Sequence, residues 1–167
     1  VMTHGSNVLG SLQDILAIGE ILHDHDVFFL VDGAQTTGHV PIDLANLLVD
    51  AFVFTGHKGL FVIPWTWRIY LRDPDRVEPV WVGGTWTNSV SMYQPREMPD
   101  RFETGTENYP GFAALAAGIS FLELEGIAAL AANVDRQTQA IIAGLLEDEN
   151  ICVYNTCPDL PVIAINI

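Results

Sequence analysis

Ala51-Phe52-Val53-Phe54-Thr55-Gly56-His57-Lys58 is an apolar run that breaks directly into polar and reactive groups. Four consecutive apolar residues, two aromatic and one β-branched, predict a strand covered on both faces, as in a parallel sheet. Such a sheet places ligand-binding groups beyond the carboxyl ends of its strands. Lys58 stands there, and it is the only lysine among 167 residues. A chain of this size ordinarily spreads many lysines over its surface. A single one at a strand end reads either as an amine kept for chemistry or as a chance loop residue in a lysine-poor chain.

Working outward, the same pattern recurs upstream. Val27-Phe28-Phe29-Leu30-Val31 is a second apolar run, and it ends in Asp32-Gly33-Ala34-Gln35. Before it, Leu12, Ile15, Leu16, Ile18, Gly19 and Leu22 recur at helical spacing. They predict a helix over 11–25, with Ser11 as N-cap and Asp14 in an acidic first turn. A short helix is expected over 41–48. Strands alternating with helices imply an α/β fold with a mainly parallel sheet and right-handed crossovers.

Downstream, 61–71 reads as a further strand and 72–99 mainly as loop. Helices are expected over 110–124 and 126–146, and strands over 151–154 and 161–167. The break at Gly126 divides the chain into 1–125, part of a large domain, and 126–167, the beginning of a small one. Both ends read as cut, because Val1-Met2-Thr3 resembles the tail of a strand and the last strand stops without a polar tail.

Composition narrows the function. The hydrophobic fraction of 49% supports a sizeable core. A formal charge of -14 argues against nucleic acid or anionic lipid as partner, since phosphates would be repelled. No apolar run has the length of a membrane span. Cys152 and Cys157 fit neither a disulfide framework nor a CxxC motif. Cys152, on an apparent strand, reads as a buried apolar thiol, and the compartment as reducing and cytoplasmic. His23 and His25, two apart on a helix, point to different faces, which speaks against a shared metal.

If the runs ending at Asp32 and Lys58 are neighbours, both open on one crevice. An aspartate and a lysine there, with a hydroxyl and an imidazole between, suit a pyridoxal cofactor. The lysine forms a Schiff base with it, and the aspartate keeps the ring nitrogen protonated so that the ring can act as an electron sink. Thr55 and His57 suit its phosphate as charge-assisted donors. Singly, Asp32 also reads as a turn cap and His57 as a loop imidazole bonded to backbone. Their matching positions on two strands favour the joint reading.

Four motifs in order now resemble a known family. They are His4-Gly5-Ser6-Asn7-Val8-Leu9-Gly10-Ser11, Val31-Asp32-Gly33-Ala34-Gln35-Thr36, Phe54-Thr55-Gly56-His57-Lys58-Gly59 and Asp100-Arg101-Phe102-Glu103-Thr104-Gly105-Thr106-Glu107-Asn108. The family is the class V aminotransferase group of fold-type I pyridoxal-phosphate enzymes, and within it the cysteine desulfurases. The resemblance implies a partial fold-type I large domain and the start of a small α+β domain. It implies that Lys58 is the Schiff-base lysine and carries the α-proton, and that Asp32 holds the pyridine nitrogen. By the same resemblance Gln35 bonds the phenolic oxygen, Thr55 and His57 bind the phosphate, and Asn7 lies near the phenolic oxygen and the substrate carboxylate. Thr106 reaches the phosphate in the opposite subunit of a homodimer. The implied reaction takes L-cysteine to L-alanine and leaves persulfide sulfur on the enzyme for a sulfur-acceptor protein. Transamination or a lyase step on another amino acid is the alternative, and a non-catalytic remnant is a third reading.

The sequence also departs from that family. Where a turn resembling Gly-Pro-x-Gly-Thr-Gly is usual, this chain has Val62-Ile63-Pro64-Trp65-Thr66-Trp67, and Trp86 stands where glycine is common. Glycine there permits close backbone approach or positive φ. Several of these changes are one base from a glycine codon. They read as sequence error or a degraded copy, with an altered pocket wall or a tryptophan pair on one strand face as alternatives. The family's ring-stacking segment, its nucleophilic cysteine loop and its carboxylate-gripping arginine have no counterpart in these residues. Neither Cys152 nor Cys157 takes the cysteine's role.

Overall fold

The computed structural model describes residues 1–84 and 90–167. Trp86 lies outside the described residues. A four-stranded sheet runs in the order β1 (Met2–Thr3), β2 (Leu30–Asp32), β3 (Ala51–Thr55), β4 (Trp67–Leu71). The first three strands are parallel and β4 is antiparallel to β3. The sheet is thus mainly parallel, as its apolar runs predict.

The register decides what each face carries. Thr3 pairs with Asp32, Asp32 with Val53, and Val53 with Ile69. Thr55 pairs with Trp67. Paired residues share a face and alternate residues return to it, so these six line one side. Met2, Val31, Phe52, Phe54 and Tyr70 line the other. That second side holds the core, in which Phe52 and Val31 cluster with Ile15, Phe29 and Val49. Helix α1 (Ile15–Asp24) adds Ile18 and Leu22 to this cluster. Full burial of one such side chain is worth about 1.5–3 kcal/mol, so Phe52, at 2% exposure, is a position where truncation would be costly. A second cluster, Leu60, Val62 and Leu122, brings helix α2 (Tyr109–Glu125) under the sheet, and Phe54 touches both clusters.

Helix α3 (Ile127–Leu145) follows, separated from α2 by Gly126 at φ 81, with a bend of 83° between the helices. A small antiparallel ribbon, β5 (Cys152–Val153) with β6 (Ile165–Asn166), ends the chain. Among the described residues no single helix is long and apolar enough to cross a membrane.

Four expectations fail in detail. Helix α1 begins at Ile15, capped by Asp14, whose Oδ1 accepts from Ala17 N at 3.0 Å. Ser11 cannot cap it, because its carbonyl is held by Ser6 N (2.9 Å) and Leu12 bridges to Gly5. Residues 41–48 form turns rather than a helix. The Arg72 guanidinium takes the carbonyls of Leu44, Leu47 and Val49 at 2.8, 2.5 and 2.9 Å, which competes with helical pairing. The strand expected over 61–71 starts only at Trp67, so Trp65 and Trp67 are not a pair on one strand face. Cys152 is exposed rather than buried, since its two-residue strand packs too little against the rest of the chain to cover it.

Candidate active site

Three parallel strands deliver their carboxyl ends to one edge of the sheet. From β1 the chain continues into His4 and the loop carrying Asn7. From β2 it continues into the turn with Gln35, and from β3 into Gly56-His57-Lys58. Asp32 and Thr55 lie on the same face, one strand apart and two residues offset.

Asp32 is half-buried. Its Oδ1 accepts from Ala34 N at 2.9 Å, so it does cap its turn, while Oδ2 takes no hydrogen bond among the described residues. The capping and binding readings are therefore compatible. Thr55 is buried, and its hydroxyl lies 2.6 Å from Nδ1 of the exposed His57. These are the hydroxyl and imidazole expected to act together. Lys58 is half-buried, and its ammonium makes no hydrogen bond or ion pair among the described residues. Gln35 is half-buried, while Asn7 and Thr106 are exposed.

The Lys58 turn is closed by backbone bonds from Gly56 N to Thr66 O (2.5 Å) and from Val62 N to Gly56 O (2.9 Å). Thr66, 1% exposed, locks it through Oγ1 to Ile63 O at 2.8 Å. Trp65 sits in this turn at φ 67, a left-handed conformation that favours glycine. The structure therefore supplies the reason that glycine suits this position. Trp67 has no such conflict, since it occupies an ordinary strand position beside Thr55.

Two residues inside the quoted motifs, His4 and Asn108, carry positioning roles that the motifs alone do not assign. His4 is buried, its Nδ1 lies 2.9 Å from Thr36 Oγ1, and its N–H donates to Asp32 O at 2.8 Å. It thereby joins the Asn7 loop to the Asp32 turn, and burial lowers its pKa. Asn108 caps α2 by accepting from Gly111 N at 3.0 Å and donates to Trp65 O at 3.1 Å. It thus ties the Thr106 loop to the Lys58 turn. Beside Thr106, burial raises the pKa of Glu107, and a hydrogen bond with Glu103 and that residue's charge add to the effect. The signal for His4 was its place at a strand end, and for Asn108 its place before the Pro110 helix start. Neither reveals the distant partner. A cavity of about 780 Å³ is lined by Asp75, Glu78, Arg96 and Arg101 among others, away from Lys58. No described group of three or more His, Cys, Asp or Glu could hold a metal ion.

The sequence model of the aminotransferase class-V family matches residues 1–167. The chain belongs to the aminotransferase class-V family. It is 34% identical over 157 residues to a probable cysteine desulfurase of Methanothermobacter thermautotrophicus, covering 92% of this chain and 39% of that protein. It is 31% identical over 171 residues to a cysteine desulfurase of Escherichia coli O157:H7, covering 99% of this chain and 42% of that protein. The apo structure of the cysteine desulfurase from Thermococcus onnurineus NA1 superposes with a TM-score of 0.85 at 31% identity, over 99% of this chain and 43% of that one. This member of the class-V family thus spans about two fifths of the length of these relatives.

Proposed function

We propose that this chain forms the lysine-bearing part of a pyridoxal-phosphate-dependent, cysteine desulfurase-like enzyme acting on an amino acid. The observation that carries the proposal is the shared face of Asp32 and Thr55, with Lys58 following on the same edge, in a chain matched end to end by the class-V family. The donor set fits the cofactor: a carboxylate oxygen and an amine that take no partner among the described residues, and a paired hydroxyl and imidazole. When bound, pyridoxal phosphate supplies an electron sink for charge developing at the substrate Cα.

The chain's own residues do the rest. Asp32 keeps a proton on the ring nitrogen through Oδ2. Thr55 and His57 hold the phosphate. Gln35 and Asn7 would hold the phenolic oxygen, and Asn7 would also bind the substrate carboxylate. Lys58 would hold the cofactor through its side-chain amine, and the same amine would carry the proton at the substrate Cα. In the full-length protein a cysteine outside this chain would accept sulfur from L-cysteine, releasing L-alanine and passing the sulfur to an acceptor protein. Thr106 would serve the partner subunit of a homodimer. We place the boundary between large and small domains at Gly126, and the protein in the cytoplasm, where free exposed Cys152 and Cys157 would stay reduced.

Borohydride reduction of the cofactor-loaded full-length protein tests this. Pyridoxyl mass is expected on the peptide containing Lys58 and lost in Lys58→Ala. Labelling elsewhere, or none in the unaltered protein, refutes it. Alanine formed from cysteine, rather than amino-group transfer to a 2-oxo acid, separates desulfuration from transamination. The left-handed Trp65 favours a second reading, a non-catalytic remnant, and the same labelling distinguishes it.

A further inference from the structure

The segment after β5 grips the loop that carries Asn7. Asn155 uses its amide from both ends: Nδ2 donates to Leu9 O at 2.7 Å and to Val162 O at 2.6 Å, and Oδ1 accepts from Ala164 N at 2.7 Å. Close by, Leu160 N donates to Gly10 O at 2.9 Å, and Asp159 Oδ2 accepts from Leu12 N at 2.9 Å. The approach is tight. Gly10 lies at φ 67, and a side chain there would meet Leu160 O and Pro158 Cβ, each at 2.9 Å. Leu160 itself is buried, at 3% exposure.

Within the loop, Ser6 supplies the closure. Its Oγ accepts from Val8 N and Leu9 N at 3.2 and 3.0 Å, and its N–H donates to Ser11 O at 2.9 Å. Asn7 stands exposed between the Ser6 bonds and the Asn155 bond to Leu9. An amide fixed by three hydrogen bonds has one orientation, so the carbonyl of Leu9 is held from a part of the chain far away in sequence.

We propose that Asn155 is a positioning residue for the amino-acid substrate. Through Leu9 it fixes the loop that presents Asn7 to the substrate carboxylate, and the proposal rests on that reading of Asn7. Removing the amide leaves Leu9 O, Val162 O and Ala164 N without these partners. The loop then gains freedom that must be lost at each binding event. None of the gripping residues lies on β2 or β3, so Asp32, Thr55 and Lys58 stay in place. Asp32, Thr55, His57 and Gln35 share the cofactor with Asn7, so the expected signature is a larger loss of substrate binding than of cofactor binding.

The test uses the full-length protein with Asn155→Ala and Asn155→Asp. The aspartate keeps an acceptor for Ala164 N and turns a carboxylate oxygen toward two carbonyls. Hydrogen exchange is expected to quicken in peptides covering 6–12 and to stay unchanged across β2 and β3. L-alanine, titrated by the change in visible absorbance of the loaded protein, is expected to bind on the order of tenfold more weakly. Pyridoxal-phosphate affinity is expected to fall by clearly less. Unchanged exchange at 6–12, or equal losses of cofactor and amino-acid affinity, overturns the proposal. Should Asn155→Ala fail to fold, Asp159→Ala removes only the bond from Leu12 N and is expected to shift both readouts the same way. An unaltered protein that takes up no pyridoxal at Lys58 defeats the functional reading instead, while exchange at 6–12 still decides the grip.

Discussion

One added methyl group at Gly33 probes the link between the core and the candidate site. Gly33 follows Asp32, and its N–H donates to Val53 O at 2.8 Å. In Gly33→Ala the new Cβ would fall inside the envelope of the Phe52 ring at Cζ and Cε1, and 2.9 Å from Cε2. Ordinary carbon contacts lie at about 3.5–4.0 Å. The ring has little room to yield, because Phe52 is 2% exposed and packs with Ile15, Val31 and Val49. Overpacking costs about 1–3 kcal/mol, and expelling the ring forfeits about 1.5–3 kcal/mol of burial. Both routes put the destabilisation at about 1.5–3 kcal/mol. Urea denaturation with an unchanged slope reads it directly. Phe52→Leu removes the atoms that the methyl meets, so the double variant is expected to lose at least about 1 kcal/mol less than the sum of the singles. Wild-type stability in Gly33→Ala, or strict additivity in the double variant, would refute the reasoning.

Two further outcomes follow from the same geometry. Thr55→Ala and His57→Ala each remove a donor to a charged phosphate, worth about 1.5–3 kcal/mol. Each is expected to weaken pyridoxal-phosphate binding by roughly tenfold to a hundredfold, while pyridoxal lacking the phosphate binds as before; equal losses for both compounds would contradict the assignment. Burial lowers the pKa of His4 and His39 in the folded chain. The unfolded chain therefore takes up protons first, and stability is lost as pH falls below the ordinary histidine value of about 6.5 until the folded groups also protonate. The urea midpoint is expected to drop between about pH 7.5 and 5.5, less steeply in His4→Asn, and a flat profile would count against this.

The strands β2 and β3 were legible from the apolar runs Val27 to Val31 and Ala51 to Phe54, although β2 itself spans only Leu30–Asp32. The placement of Asp32 and Lys58 at one sheet edge was legible for a related reason. Consecutive parallel strands end on one edge, so Asp32 and Lys58 could be joined from local pattern alone. What escaped depends on residues distant in sequence. The turns at 41–48 follow from Arg72, the late start of β4 from the Thr66 lock, and the His4 and Asn108 ties from partners at Thr36 and Trp65. The exposure of Cys152 depends on how little a two-residue ribbon covers, which an apolar run does not disclose.

The antiparallel return of β4 has a consequence for how this protein tolerates change in length. Five registered pairs join β3 to β4 on either side of the turn that carries Lys58. Extra residues between Gly56 and Thr66 would have to unzip that ladder or bulge into the lysine's own surroundings. Residues added beyond Arg72, whose guanidinium holds the 44–49 turns, meet neither obstacle. Growth and trimming of the chain should thus concentrate on the far side of the hairpin, leaving the stretch from Gly56 to Thr66 constant in size even where its side chains drift.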